Sequence, residues 1–231
     1  MSIWSRVTHA VQDISTAGVD LVERVVETVA GTEEERRAVA FTAAIVALAA
    51  KMAKADGVVT SDEVAVFHRN VQIPEGEERS IERLFRLAQQ DVAGFESYAQ
   101  RIAHLFADDP AFLADIADVL FRIAAADGIV HEHELAFLER VAEIFGIDDF
   151  EFRRLRARHI REGDVDPYLV LGISPDADPE ELRRHHRKLV IQHHPDRMIA
   201  RGVPAEFVEI ANDRLAAINA AWEQIRRERR L

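Results

Sequence analysis

The stretch Glu180-Glu-Leu-Arg-Arg-His-His-Arg-Lys-Leu-Val-Ile-Gln-His-His-Pro-Asp-Arg197 reads as a basic helix running into a stop. Leu182 and Leu189 share an inward face, while Arg183, Arg184, Arg187 and Lys188 form an i, i+3/i+4 basic stripe. Upstream, Pro179 suits the first helical turn, and Glu180 and Glu181 complement the dipole there. Pro195 steers the residue before it away from the helical region, so the helix ends at about His193. His194, Pro195 and Asp196 are thereby predicted on an exposed turn that brings together an imidazole, a rigid ring and a carboxylate. Loop residues held by rigid elements are where recognition usually sits.

Beyond the turn, Phe207, Ile210, Ala211, Leu215, Ile218, Ala221, Trp222 and Ile225 predict a long amphipathic helix. Before the basic helix, Tyr168, Leu169 and Leu171 make one apolar helical turn that Gly172 ends. A small opening helix and two antiparallel helices with a polar loop between them form a self-sufficient unit. The polar linker Arg161-Glu-Gly-Asp-Val165 precedes it.

Four ordered motifs then carry a resemblance. Tyr168-x-x-Leu-Gly-Ile173, Glu180-Glu-Leu-Arg-Arg-x-x-Arg-Lys-Leu189, His193-His-Pro-Asp-Arg197 and Ala217-Ile-Asn-Ala-Ala-Trp-Glu223 are similar to a J domain, the DnaJ module, from residue 166 to about 228. The resemblance implies a DnaK-type chaperone as partner. Arg183, Arg184, Arg187 and Lys188 would meet an acidic face of its ATPase domain and steer association. His194, Pro195 and Asp196 would engage near that chaperone's domain linker. There Asp196 accepts charge-assisted bonds, Pro195 fixes the loop and His194 bonds the turn and partner backbone. Preference for the hydrolysis-competent conformation would speed ATP turnover in the partner.

The chain departs from the J-domain pattern at His185-His186, where Ala-Tyr is common, and at His193, where tyrosine is common. These substitutions open the contact to pH. Gly/Phe-rich and cysteine-rich client-holding regions are lacking.

Composition bounds the rest. The 231 residues have room for one or two domains, and a hydrophobic fraction of 48% with 30% charged residues describes a soluble helical protein. There is no cysteine, hence no disulfide framework and no zinc ribbon. The net charge of −12 argues against nucleic acid as a partner. Residues 1–164 hold 18 Lys and Arg against 30 Asp and Glu, whereas residues 165–231 hold 11 of each, so the acidity belongs to the first part.

Nothing in that part alternates like a strand. Helices are predicted over 33–55, 61–70, 76–90, 92–106, 110–126, 131–145 and 148–161, after an amphipathic helix over residues 3–29. Trp4 could touch a membrane surface, but the acidic polar face of that helix favours packing on its own domain. The alanine-rich run Ala38–Ala50 is too short to span a bilayer and predicts a buried bundle helix. With no leader or spanning segment in view, the expected location is cytoplasmic.

An internal repeat is present. Lys54-Ala-Asp-Gly-Val-Val-Thr-Ser-Asp-Glu-Val64 echoes Ala125-Ala-Asp-Gly-Ile-Val-His-Glu-His-Glu-Leu135, which predicts a pseudo-twofold bundle. An EF-hand reading fails, because loop positions 1 and 3 fall on Met52 and Lys54, or on Ile123 and Ala125. Capping boxes at Thr60-x-x-Glu63 and, less well, His131-x-x-Glu134 explain the pattern instead. No metal site is expected from the His131-Glu-His-Glu134 cluster or from His185, His186, His193 and His194.

The repeat, with the helical pattern and acidic bias, resembles the TerB-like domain of bacterial tellurite-resistance proteins over about residues 30–160. A TerB-like domain followed by a J domain, with Met198-Ile-Ala-Arg-Gly-Val-Pro-Ala205 between loop and last helix, is similar to the bacterial DjlA co-chaperones. The expected fold is all-α: an N-terminal helix (1–29), a TerB-like bundle (30–161), a linker (162–166) and a J domain (167–231) with an antiparallel hairpin. No catalytic set and no cofactor are expected, and no phosphate loop is present. The rival reading is a stress-response or metal-linked scaffold acting through the acidic bundle, with the J domain only recruiting chaperone.

Overall fold

Residues Val39–Ala50 are buried without interruption, and this helix, apolar on every side, becomes the axis around which the others pack. The polar exception in the run, Thr42, donates its hydroxyl to the Ala38 carbonyl at 2.9 Å. The structure, a computed structural model, describes residues 3–12, 20–54, 76, 78–90, 94–125, 130–159, 166–204 and 207–231. Among these the helices are α1 (Ile3–Gln12), α2 (Leu21–Thr28), α3 (Glu33–Lys54), α4 (Glu78–Gln90), α5 (Phe95–Leu105) and α6 (Pro110–Ala124). They continue as α7 (Glu132–Ile144), α8 (Asp149–His159), α9 (Pro167–Leu171), α10 (Pro179–Gln192), α11 (Pro195–Ala200) and α12 (Val208–Arg229). No strand occurs among the described residues.

Helices α1, α2, α4, α5 and α6 surround α3; α7 closes over α5 and α6, and α8 packs on α6. Local chemistry explains several starts. Thr32 and Glu35 form a capping box at α3, the Glu35 Oε2 accepting from the Thr32 amide at 2.9 Å and the Thr32 hydroxyl from the Glu35 amide at 3.2 Å. At α6 the Asp109 carboxylate caps Phe112, with Pro110 in the first turn. Glu134 accepts from the His131 amide at 2.9 Å where α7 begins, as its spacing predicts.

One expectation changes. Where periodicity reads one helix over 3–29, the described residues form separate helices, α1 and α2, which pack on each other and on α3. Trp4 is fully buried against Phe207, at 6.2 Å between ring centroids, in keeping with the favoured packing of this segment on its own domain. The expected helix at 61–70, the first repeat copy after Lys54 and the Asp127-Gly128 turn of the second lie outside the described residues. Met52 and Ile123, the failed EF-hand positions, are core residues.

Two apolar clusters form. Val170, Leu171, Leu182, Leu189, Ile218 and Ile225 join α9, α10 and the second half of α12. The larger cluster unites the bundle with Met198, Val203, Phe207, Ile210 and Ala211, which follow the His194-Pro195-Asp196 turn. Phe41 meets Phe207 at 5.3 Å in a tilted edge contact at 73°. Helix α12 therefore serves two cores, its first turns in the bundle and its later turns in the hairpin.

Candidate functional site

The opening turn forms as α9, whose Asp166 carboxylate caps the Tyr168 amide at 2.9 Å. Gly172 ends it with φ +70°, a conformation that favours glycine. A Cβ there would also come within 2.5 Å of the Arg154 Nε, so the guanidinium of α8 lies directly over the residue. Arg154 Nη2 donates to the Leu171 carbonyl at 3.3 Å, which ties the end of α9 to the bundle. Burial in α9 falls on Pro167, Val170 and Leu171, while Tyr168 and Leu169 are only half-buried.

Helix α10 begins where its proline and acids predict. The Asp178 carboxylate accepts from the Glu180 and Glu181 amides, both at 2.8 Å, and those bonds hold its pKa below the usual value. Leu182 and Leu189 are buried and Arg183, Arg184, Arg187 and Lys188 are all exposed. None of the four takes part in an ion pair among the described residues, so their charge faces solvent as one stripe. The helix ends at Gln192, with His193 as its C-cap.

The turn itself is compact. His194 caps α11 through Nδ1, which accepts from the Asp196 amide at 3.2 Å; Pro195 occupies the first helical position. A ring nitrogen that accepts an amide hydrogen carries none of its own, so the Nε2 hydrogen is left to donate outward. The Asp196 carboxylate is 86% exposed. The stripe thus runs along the solvent face of α10, and the tripeptide follows at that helix's C-terminal end, with exposed Ile191 and Ile199 on either side of it.

The four histidines scatter to four environments. His185 Nε2 lies 2.8 Å from the Leu171 carbonyl. His186 stacks on Trp222 at 4.8 Å and 9°, with Nε2 at 3.0 Å from Asn219 Oδ1, so it closes the hairpin where an aromatic ring is common in J domains. His194 caps, and His193 turns inward. Among the described residues no group of three or more His, Asp or Glu could hold a metal ion.

His193 joins a buried ionic cluster that the periodicity of α12 did not reveal. Arg214 donates through Nε and Nη2 to Asp118 Oδ2 at 3.0 and 2.6 Å, and through Nη1 to Asp115 Oδ1 at 3.1 Å. The same Nη1 lies 3.0 Å from His193 Nδ1. Arg158 and His159 of α8 approach Asp118 Oδ1 at 3.3 and 3.1 Å, and Arg201 bonds Asp115. Burial alone would raise the Asp118 carboxyl, but the charges of Arg214, His159 and Arg158 outweigh it and hold it well below the ordinary range. Burial, then the Arg214 and Arg158 guanidiniums, push His193 down to about 3. The expectation of a pH-sensitive ring at His193 is thereby corrected, because in the folded chain it stays neutral near pH 7.

One signal for this cluster was present in the sequence: Asp115 and Asp118, an i, i+3 pair inside a largely apolar helix, require a buried cation. Arg214, seven residues after Phe207 and four before Ile218, stands on the apolar stripe of α12 where Leu215 was expected. Leu215 is instead half-buried.

The described residues thus form an all-α bundle joined to a basic helical hairpin with an exposed His-Pro-Asp turn. Residues 42–157 match the family described as Tellurite resistance protein TerB, and residues 166–230 match the DnaJ domain. The chain belongs to the TerB family and carries a DnaJ domain behind its bundle. It is similar to proteins named Co-chaperone protein DjlA. The one from Photobacterium profundum is 29% identical over 225 residues, which is 85% of this chain and 80% of that protein. That of Coxiella burnetii is 29% identical over 198 residues, covering 77% and 73%. That of Vibrio cholerae is 26% identical over 232 residues, covering 87% and 82%. No solved structure matches the chain. Among the described residues, no helix is long and apolar enough to cross a membrane.

Proposed function

We propose that the chain is a co-chaperone that binds a DnaK-type chaperone through its J domain and stimulates that partner's ATP hydrolysis. The observation that carries this reading is the exposed Asp196 carboxylate, on the turn that ends the helix bearing the exposed stripe Arg183, Arg184, Arg187 and Lys188. The stripe steers encounter with an acidic face, and Asp196 then accepts charge-assisted bonds from a partner arginine. Pro195 fixes the loop and His194, its Nδ1 occupied, offers Nε2–H to the partner. Binding that favours the hydrolysis-competent conformation lowers the barrier in the partner, and the chemistry stays in the partner's nucleotide site.

The TerB bundle, which carries the acidic excess, is assigned the task of bringing clients or further partners to that machine. The metal-linked reading has less support: His131 and Glu134 serve the start of α7, and the histidines near the turn diverge. A DnaK-type partner points to the cytoplasm as the site of action.

The test is a purified DnaK-type ATPase with the full chain added. Wild type is expected to raise single-turnover hydrolysis and Asp196→Asn to abolish the effect while melting as wild type does. A wild-type chain that never stimulates such an ATPase sinks the reading.

A further inference from the structure

The inward face of α12 carries a charge at a core position. Ala211, Ile218, Ala221 and Ile225 are buried at helical spacing, and Arg214 stands between Ala211 and Ile218 at 6% exposure. It sits at the junction of the two apolar clusters. A buried guanidinium is costly unless its donors are used. Here they reach Asp118 and Asp115 of α6, and His193, the residue immediately before the tripeptide.

The other flank of the tripeptide is gripped as well. Met198 is fully buried in the bundle core. Arg201 bonds Asp115, and its carbonyl accepts from Arg37 Nε of α3 at 3.1 Å. Gly202, at φ +89°, lies so close to α3 that a Cβ would come within 2.8 Å of the Arg37 Cβ. Asp115 is thus linked to both sides of the turn, through Arg214 to His193 and directly to Arg201. Apolar residues of equal size would stabilise this junction as well as a buried ion cluster does. What the cluster adds is a fixed set of directions, because the Arg214 fork has one arrangement in which Nε, Nη1 and Nη2 all meet acceptors.

We propose that Arg214, held by Asp115 and Asp118, is a positioning residue for the His194-Pro195-Asp196 turn, so that the TerB bundle presents the J domain in one orientation. The turn is backed by the bundle on both flanks while Asp196 points to solvent. The inference rests on the co-chaperone reading and deepens it, by naming what holds the site.

The test uses the full chain with Arg214→Met, Arg214→Lys and Asp196→Asn. Lysine keeps a cation between the carboxylates but cannot span Asp115, Asp118 and His193 together. Stimulation of a DnaK-type ATPase is followed over a concentration series. Amide hydrogen exchange is read over Met198–Val203, where the Val203 amide bonds the Met198 carbonyl at 3.0 Å. In Arg214→Met, maximal stimulation is expected to fall roughly tenfold, with a smaller loss in Arg214→Lys, as displaced reacting groups lose rate. The half-stimulating concentration should hardly move, since the basic stripe is untouched, and exchange over Met198–Val203 should quicken.

Folded variants that stimulate and exchange as wild type does overturn the proposal, even with Asp196→Asn inactive beside them. Should Arg214→Met fail to fold, Arg214→Lys decides by the same two readouts. A wild-type chain without stimulation overturns the co-chaperone reading instead, and hydrogen exchange then decides whether Arg214 anchors the turn.

Discussion

His193 and His194 are adjacent imidazoles with opposite fates, which environment alone decides. His194 stays at the surface as a helix cap, 49% exposed. His193 is turned into a cluster of guanidiniums, where a second positive charge is unwelcome. The linkage has a definite sign. The folded pKa of about 3 lies below the ordinary 6.5, so the unfolded chain binds the extra proton first. His193 therefore contributes its full stability above about pH 6.5. That contribution is lost progressively as pH falls toward 3. The slope from this residue approaches about 1.4 kcal/mol per pH unit. His193→Gln, which keeps an acceptor for Arg214 but cannot titrate, should flatten the fall in urea-denaturation stability between pH 7 and pH 5. Equal slopes in the two proteins would show that His193 is not the group responsible.

At the scale of the element, α10 and α12 divide the work of the hairpin. The outward face of α10 carries Arg183, Arg184, Arg187 and Lys188, and its inward face packs Leu182 and Leu189 on Ile218 and Ile225. Free surface charge acts mainly on encounter, with a range of about 8 Å at physiological salt. Arg184→Glu with Arg187→Glu should therefore raise the half-stimulating concentration about tenfold and weaken its salt dependence. Maximal stimulation at saturation should be retained. A fall in the maximum with an unchanged half-stimulating concentration would contradict the steering role, and it is the opposite pattern to that expected of Arg214→Met. The stripe was legible because i, i+3/i+4 spacing is a property of one helix. Arg214 was not, because its neighbours on α12 do not reveal that α6 supplies two carboxylates opposite it.

Over the whole molecule, the shared core makes bundle and hairpin interdependent. Phe207 follows the turn in sequence yet packs on Trp4 and Phe41 of the bundle. Phe207→Ala should cost about 3–5 kcal/mol, as large-to-small changes in a packed core do. Because α12 runs through both clusters, unfolding should proceed as one transition. In Trp4→Phe, the fluorescence of Trp222 reports the hairpin while far-UV circular dichroism reports the whole chain. Coincident urea transitions are expected, and a hairpin that melts apart from the bundle would refute the shared core.

Local chemistry was enough to specify most of the helices, the start at Pro179, the stop at His193 and the exposed basic stripe, since each depends on residues within a turn or two of one another. The J-domain motifs were legible for the same reason. What only the tertiary structure decided is where that module sits. The burial of Met198 and Phe207 in the bundle, the neutral His193 and the Arg214 cluster all join residues about 75 to 200 positions apart or depend on such contacts. Periodicity tells which face of a helix is buried, but it carries no information about which distant helix will cover it.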